Sequence, residues 1–385
     1  MRKLNFAIFF TVALSVYALI NFYIILRGWE LLSLHPTLRT CYLAIAIVLA
    51  AAFIAGRILE RARLTWFSTA LVWIGSFWLA AMTYFFIIAM AIDILRLSNY
   101  VLPWFPSFLI LHPAQTKDVV VLVVTTLVAF AVLLGHLNAI RPRIRTLNLS
   151  IRKTVNNAKS LNIVAVSDIH LGTIIGKSRL TRIIALINSL NADLVVLPGD
   201  VFDEDIGPVI KENLGETLRT IQSKRGVIAI TGNHEYIGGE EAACRYLNDH
   251  GIIVLRDSSF KIDGLCTVVG REDLSSRQFG GKERKSLDTL MNNVDLRLPV
   301  ILLDHQPFHL EDAERHGVDL QLSGHTHHGQ LWPFNYISQK IFEVSWGYKK
   351  KGTTHIYVSC GVGTWGPPVR TGNRPEIVNI RLSFD

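Results

Sequence analysis

The sequence predicts a helical membrane domain of four transmembrane helices followed by an α/β domain with a largely parallel central sheet. Charged residues are unevenly distributed: residues 1–137 hold 9 of the 39 Lys+Arg and 4 of the 31 Asp+Glu. From residue 161 onward, short β-branched runs alternate with stretches of helical periodicity, as in α/β folds. We therefore expect a four-span domain over 1–137, a basic juxtamembrane linker over 138–160 and an α/β domain over 161–385.

Composition supports a membrane protein. Half of the 385 residues are hydrophobic and 18% are charged, whereas about 25% are charged in ordinary soluble domains. This excludes a disordered chain and a single soluble enzyme. A membrane-crossing helix needs about 20 apolar residues. Four stretches meet this length, near 4–26, 41–59, 66–92 and 119–137.

The positions of basic residues predict the orientation of these spans. Arg57, Arg61 and Arg63 follow the second span, and a further basic group begins at Arg141 after the fourth. Because Lys and Arg accumulate in cytoplasmic loops, we expect a multi-pass cell-membrane protein whose α/β domain is cytoplasmic. The second part of the chain has 30 basic and 27 acidic residues, which gives no indication of nucleic-acid binding.

The spans contain few polar side chains, chiefly Asn21, with Asp93 and His136 near the ends. Ionisable residues within spans mark ion or substrate pathways, so this pattern favours an anchor in contact with lipid. A lipid-handling or transport module fused to the second domain remains an alternative.

Five predicted strands end in polar residues of the types that bind metals. In α/β sheets ligands bind beyond the carboxyl ends of the strands. One Asp-x-His pair, one His-x-His pair and three single residues at five such ends are difficult to explain by packing alone. The predicted strands run over 161–166, 194–197, 226–230, 300–303 and 318–322, with helices over 178–190, 209–222 and 240–249. A two-strand pattern covers 252–269, and later strands cover 354–359 and 376–382.

Seven donors follow these strands: two carboxylates, one amide and four imidazoles. This number exceeds the four ligands of one zinc site and suits two metal ions bridged by one carboxylate. Imidazole and oxygen donors without cysteine favour Mn, Fe, Zn or Co. The candidate ligands are Asp168, His170, Asp200, Asn233, His305, His325 and His327.

The order Asp-x-His, Gly-Asp, Gly-Asn-His-Glu, a single His and Gly-His-Thr-His resembles the calcineurin-like metallophosphoesterases over about 161–385. The resemblance implies a four-layer α-β-β-α sandwich and two divalent ions. One ion would be held by Asp168, His170 and His327, the other by Asn233, His305 and His325, with Asp200 between them. It also implies that His234 is the catalytic histidine, with Glu235 beside it.

The implied reaction is attack of a metal-bridging hydroxide on a phosphate ester or pyrophosphate. His234 would stabilise the transition state or protonate the leaving oxygen, and Glu235 would orient the His234 side chain. The nearest resemblance is to a bacterial membrane-associated branch that includes UDP-2,3-diacylglucosamine pyrophosphatases, which suggests a phosphorylated small-molecule or lipid-linked substrate. His328 stands where Gly is expected, and Arg271-Glu272-Asp273 replaces the usual Gly-x-Asp-Asp turn.

Three residues are candidates for contact with the substrate: Arg370, Arg374 and His328. For each arginine a structural ion pair is an equal alternative, whereas for His328 an exposed loop position is favoured over a ligand or substrate contact. A different class of function also remains open. In that alternative the protein is a membrane sensor or scaffold that binds a phosphorylated ligand at the metal site without hydrolysing it.

Overall fold

The computed structural model describes residues 2–155, 158–262 and 264–384. The chain divides into two compact units. The first comprises Met1–His136 together with Gly366–Val369, and the second comprises Leu137–Trp365 together with Arg370–Asp385.

The first unit is built from long apolar helices. Four segments are long and apolar enough to cross a membrane: Thr11–Leu34, Pro36–Ala62, Trp66–Val101 and Pro113–Ala139. The four expected apolar helices are therefore confirmed as candidate membrane spans, and they extend beyond the predicted limits. The helices are α1 Arg2–Leu31, α2 Pro36–Ala62, α3 Trp66–Val101, the short α4 Ser107–Leu111 and α5 Pro113–Ala139.

Small residues allow α2 and α3 to approach closely. A Cβ on Gly56 would lie 2.7 Å from the backbone nitrogen of Val72, and one on Gly75 would overlap the backbone of Phe53. Such contacts between small residues drive helix association in membranes. The polar Asn21 is also satisfied within the bundle, because its Oδ1 accepts the indole N–H of Trp78 at 2.9 Å. Asn21 thus has a packing role.

The second unit contains two six-stranded sheets, with strand orders β1-β12-β2-β3-β4-β5 and β10-β11-β9-β8-β7-β6. The strands are β1 Arg143–Ile151, β2 Ser160–Ala165, β3 Leu194–Pro198, β4 Val227–Ile230, β5 Ile252–Leu255, β6 Ser258–Ile262, β7 Cys266–Gly270, β8 Val300–Leu303, β9 Leu320–Ser323, β10 Gly347–Lys351, β11 Thr354–Val358 and β12 Glu376–Phe384. The helices are α6 Lys177–Asn188, α7 Gly207–Lys211, α8 Leu214–Leu218, α9 Asn233–Gly238, α10 Glu240–Asp249, α11 Leu287–Met291, α12 Leu310–Arg315 and α13 Phe334–Ile341.

The two sheets share one hydrophobic core. Ile163 and Ile228 of the first sheet and Ile301 of the second belong to the same buried cluster. On the opposite face of the second sheet, Leu302 packs in a separate cluster with Leu287 of α11. The structure therefore confirms the expected fold, in which α/β sheets pack face to face with helices outside them.

One element differs from the sequence expectation. Within the segment expected to be a linker, β1 forms the edge of the first sheet, pairs in parallel with β12 and buries Leu149 and Ile151. Leu147, Leu149 and Ile151 alternate with polar residues, which is the period of a half-buried strand. The many arginines of 138–160 obscured this alternation, because composition alone suggested a solvated linker.

Candidate metal centre

The turns after five strands place all seven predicted donors in one region. Asp168 and His170 follow β2, and Asp200 follows β3. Asn233 opens α9 directly after β4, His305 follows β8, and His325 and His327 follow β9. These strands belong to both sheets, so the donors meet across the carboxyl ends of the sandwich.

Asp168, His170 and His327 form the first donor group. Their ligand atoms lie within 4.8 Å of one another. Nε2 of His170 is 3.0 Å from Nε2 of His327, which is 3.6 Å from Oδ1 of Asp168. All three residues are buried. Two imidazole nitrogens and a carboxylate oxygen that converge in this way can share one cation.

Asn233, His305 and His325 form the second donor group. Oδ1 of Asn233 lies 3.2 Å from Nε2 of His305 and 2.8 Å from Nδ1 of His325. Asp200 lies between the two groups: its Oδ2 is 3.1 Å from Nε2 of His305 and 3.9 Å from Nε2 of His170. The carboxylate of Asp200 is therefore within reach of both groups.

The backbone of the site adopts an uncommon conformation. Five of the seven donors have left-handed φ angles of 44° to 71°: Asp168, His170, Asp200, His325 and His327. Non-glycine residues rarely adopt this conformation, and such strain concentrates at functional sites. Gly324 permits the close approach of two of these turns, since a Cβ there would overlap Oδ2 of Asp168.

Burial and neighbouring charges set the protonation of the donors. Burial, with the nearby His234, lowers the pKa of His170 to about 3, and burial with His305 lowers that of His325 to about 3. Both imidazoles are therefore neutral at pH 7, as metal binding requires. Burial and the charge of Asp200 raise the pKa of Asp168 to about 6, although His305 opposes this rise.

Asp200 and His305 shift each other's pKa in opposite directions. Burial by itself raises the pKa of Asp200, but the facing His305 together with His234 holds it well below its usual range. Conversely, burial by itself lowers the pKa of His305, but the Asp200 carboxylate holds it well above its usual range. The carboxylate that links the two donor groups is thus ionised.

These residues fit divalent metal ions. Among the residues that the structure describes, no hydrogen-bond partner reaches the buried Oδ2 of Asp168 or Nδ1 of His170. A buried polar atom without a partner is costly, and a cation would satisfy Oδ2 of Asp168. The donors are imidazole nitrogens and oxygens with no thiolate, a set suited to divalent transition metals.

His234 contacts a residue that the sequence analysis did not identify. Its Nδ1 lies 3.6 Å from Oδ1 of the buried Asp203, and its ring packs edge-on against His170 with centroids 4.6 Å apart. The sequence feature that could have identified Asp203 is the segment Gly-Asp200-Val-Phe-Asp203, which places a second carboxylate three residues after Asp200.

Glu235 holds the backbone around Asp200 rather than the side chain of His234. Its Oε2 accepts N–H groups from Gly232 at 2.7 Å and Asp200 at 3.1 Å, and its Oε1 accepts that of Phe202 at 2.9 Å. Burial and the charge of Asp200 raise the pKa of Glu235 to about 7. We expected Glu235 to orient the side chain of His234, but the carboxylate that faces His234 is that of Asp203.

Arg370 is fully buried behind the first donor group. Its Nη2 lies 3.0 Å from Nδ1 of His327, its Nε donates to the carbonyl of Gly363 at 2.9 Å, and its Nη1 donates to Oδ1 of Asn373 at 2.5 Å. These contacts favour a role in positioning His327 over the expected contact with a substrate phosphate.

The other two candidate substrate contacts lie elsewhere. Arg374 is exposed, and its Nε donates to the carbonyl of Arg141 at 3.0 Å. His328 is buried, so the alternative of an exposed loop position is wrong. Its Nδ1 is 3.0 Å from Oγ of Ser345, and its ring packs against Trp346. The left-handed φ of 45° at His328 explains why Gly is expected there.

The two-sheet fold and the cluster of imidazole and carboxylate donors together define a metal-binding phosphoesterase architecture. The calcineurin-like phosphoesterase family matches residues 161–329. An uncharacterized metallophosphoesterase of Aquifex aeolicus is 32% identical over 257 residues, which cover 66% of this chain and 97% of that protein. The chain belongs to the calcineurin-like phosphoesterases, a metal-dependent family.

Two further relatives are longer than the shared region. A transmembrane protein with metallophosphoesterase domain from Danio rerio is 32% identical over 280 residues, 69% of this chain and 62% of that protein. An uncharacterized metallophosphoesterase of Helicobacter pylori is 34% identical over 246 residues, 63% of this chain and 64% of that protein. The chain thus matches less than two thirds of the length of either protein.

Proposed function

We propose that the protein is a membrane-anchored phosphoesterase with two divalent metal ions, which hydrolyses a phosphate ester or pyrophosphate bond. The observation that carries this proposal is the convergence of two donor groups on Asp200, whose Oδ2 lies 3.1 Å from His305 and 3.9 Å from His170. The metals are Mn, Fe, Zn or Co, because the donors include imidazoles and oxygens but no thiolate.

In this proposal the residues of the site have distinct roles. Asp168, His170 and His327 hold one ion, Asn233, His305 and His325 hold the other, and Asp200 is shared. When bound, divalent ions make a water molecule acidic and neutralise phosphoryl oxygens. His234 faces the same region and stabilises charge on the phosphoryl group or donates a proton to the leaving oxygen. Asp203 faces His234 across 3.6 Å, and Glu235 fixes the turn that carries Asp200.

The membrane context suggests the substrate class. We assign residues 1–137 to the anchor and 161–385 to the catalytic domain, with β1 as part of the catalytic sheet. An anchored active site favours substrates at the bilayer, so we propose a lipid-linked or other phosphorylated substrate. The basic residues after the second and fourth spans support a cytoplasmic catalytic domain. A reporter fused after residue 140 tests this orientation, and activity only outside the cell would contradict it.

Activity of the full-length protein in nanodiscs tests the proposed reaction. We expect manganese-loaded protein to hydrolyse an artificial aryl phosphodiester and Asp200→Asn to abolish turnover. The matched control is Asp288→Asn, because Asp288 is exposed on α11. We also expect His234→Ala to keep its metals and to lose about 100-fold or more in kcat, the scale of general acid–base catalysis. Tight ligand binding without product would instead support a sensor or scaffold.

A further inference from the structure

The second unit carries an unusual exposed apolar surface on α13. Among its described residues, ten large apolar side chains are exposed, and five of these ten lie between residues 332 and 341. Isolated exposed apolar residues are ordinary, whereas a cluster marks an interaction surface. The five are Trp332, Phe334, Tyr336, Ile337 and Ile341, with exposed fractions of 49%, 40%, 57%, 54% and 59%.

Three of these five residues lie on one face of α13. Phe334, Ile337 and Ile341 stand at i, i+3 and i+7, so they share one side of α13. In a helix that packs on a core this stripe would be covered, but none of the eight residues of α13 is buried. We refer to Trp332, Phe334, Ile337 and Ile341 as the α13 face.

Charge around the α13 face identifies the kind of partner. Residues 332–351 contain four lysines and a single glutamate, Glu343. Two of the lysines, Lys349 and Lys351, pair with Glu343 at 2.8 and 2.9 Å, and Lys340 is exposed on α13 itself. Aromatic and aliphatic residues beside lysines are typical of helices that lie in the interface of an anionic bilayer.

The same chain contains the helices that would hold the α/β domain near a bilayer. Four helices of the same polypeptide are long and apolar enough to span a membrane, which keeps the second unit close to lipid. Trp332 matches this environment, because tryptophan concentrates where apolar acyl chains meet polar headgroups. We propose that the α13 face inserts into the headgroup region of an anionic bilayer and docks the α/β domain on the membrane surface.

Docking there would also place the candidate metal centre at the membrane. The backbone of Phe334 and Asn335 lies against Gly329 in the turn that follows His327, as a Cβ on Gly329 would overlap both. Phe342, directly after α13, has its ring 6.0 Å from that of His325. The proposed membrane contact does not depend on catalysis. Its test is therefore independent of any test of the proposed reaction.

A fluorescent label on the α13 face tests the contact. The full-length Ile337→Cys protein, in a Cys41→Ser background, is labelled with an environment-sensitive dye. It is then reconstituted in phosphatidylethanolamine–phosphatidylglycerol vesicles with or without brominated acyl chains. The remaining cysteines, Cys244, Cys266 and Cys360, are buried, and burial raises the pKa of Cys244 and Cys266 to about 12. They should therefore not react.

Matched positions provide the controls. Ile210 on α7 is 56% exposed, close to the 54% of Ile337, and Leu296 is 48% exposed. We expect a blue-shifted emission that brominated lipid quenches at 337, and no such quenching at 210 or 296. Ile341→Glu should remove the quenching at 337, whereas Leu296→Glu should not.

Two results would overturn the proposal. The first is quenching at 337 no stronger than at positions 210 and 296. The second is dye emission at position 337 that brominated lipid does not quench but that changes with the protein-to-lipid ratio. This result would indicate that a second copy of the chain covers the α13 face. Circular dichroism of each labelled variant verifies that it is folded.

Discussion

Oδ1 of Asp203 lies 3.6 Å from Nδ1 of His234, and both side chains are buried at the edge of the donor cluster. This distance is longer than a hydrogen bond, but it makes Asp203 the carboxylate that faces the His234 ring.

We therefore expect Asp203→Asn to lower kcat by about 10- to 100-fold, the usual cost of removing an outer-shell partner, while bound metal is retained. Steady-state kinetics and metal analysis on the same preparation measure this. Asp205→Asn, two residues further in the same loop, should change neither quantity. Loss of metal in Asp203→Asn would instead make Asp203 a ligand.

The buried guanidinium of Arg370 leads to a second prediction. Arg370→Met removes the guanidinium that packs against His327 and donates to the carbonyl of Gly363, so metal affinity should fall by about 10- to 100-fold. Titration of the metal-free protein with manganese measures this affinity. Arg374→Met is the matched control, because Arg374 is exposed and its Nε donates to the carbonyl of Arg141. Equal affinities in the two variants would exclude a positioning role for Arg370.

Metal removal gives a third prediction, which concerns stability. Ions that bind only the folded state stabilise it by mass action, by about 2.7 kcal/mol when their free concentration is 100 times Kd. Chelation should therefore lower the Tm of the second unit, and added manganese should restore it. Asp200→Asn should lose most of this metal-dependent rise, whereas Asp288→Asn should keep it. A Tm in Asp200→Asn that responds to manganese like the unaltered protein would contradict a shared carboxylate.

The position of β1 gives a fourth prediction. A fragment that begins at residue 152 lacks β1, exposes the edge of β12 and leaves out the buried Leu149 and Ile151. Each of these side chains contributes about 1.5–3 kcal/mol when buried. A fragment that begins at residue 140 should therefore be soluble with the higher Tm, and the shorter one should aggregate through its open edge. Equal Tm values would show that β1 contributes little to the fold.

The four helices and the convergence of the seven donors were predictable because both depend on local pattern. Long apolar runs define membrane spans, and each donor stands directly after a strand that the sequence marks as buried. Strand ends in a mixed α/β fold meet at one edge, so the positions of Asp168, Asp200 and His305 followed from strand order. The metal-binding roles of these residues, and the narrower bacterial branch, remain predictions.

Contacts between distant parts of the chain were not predictable in this way. Arg370 contacts His327, 43 residues earlier, and no local pattern indicates that a guanidinium turns inward there. The burial of His328 against Trp346 also arises only once β10 is in place. The region 252–269 was expected to hold two strands and contains three, because the chain leaves the first sheet after β5 and enters the second at β6.

The left-handed turns at the five donor residues have a consequence for which substitutions these positions tolerate. Positive φ angles suit glycine and, to a lesser degree, asparagine and aspartate. A replacement at any of the five therefore disturbs the main chain as well as removing a ligand atom, so these positions should accept fewer substitutions than donors on regular backbone.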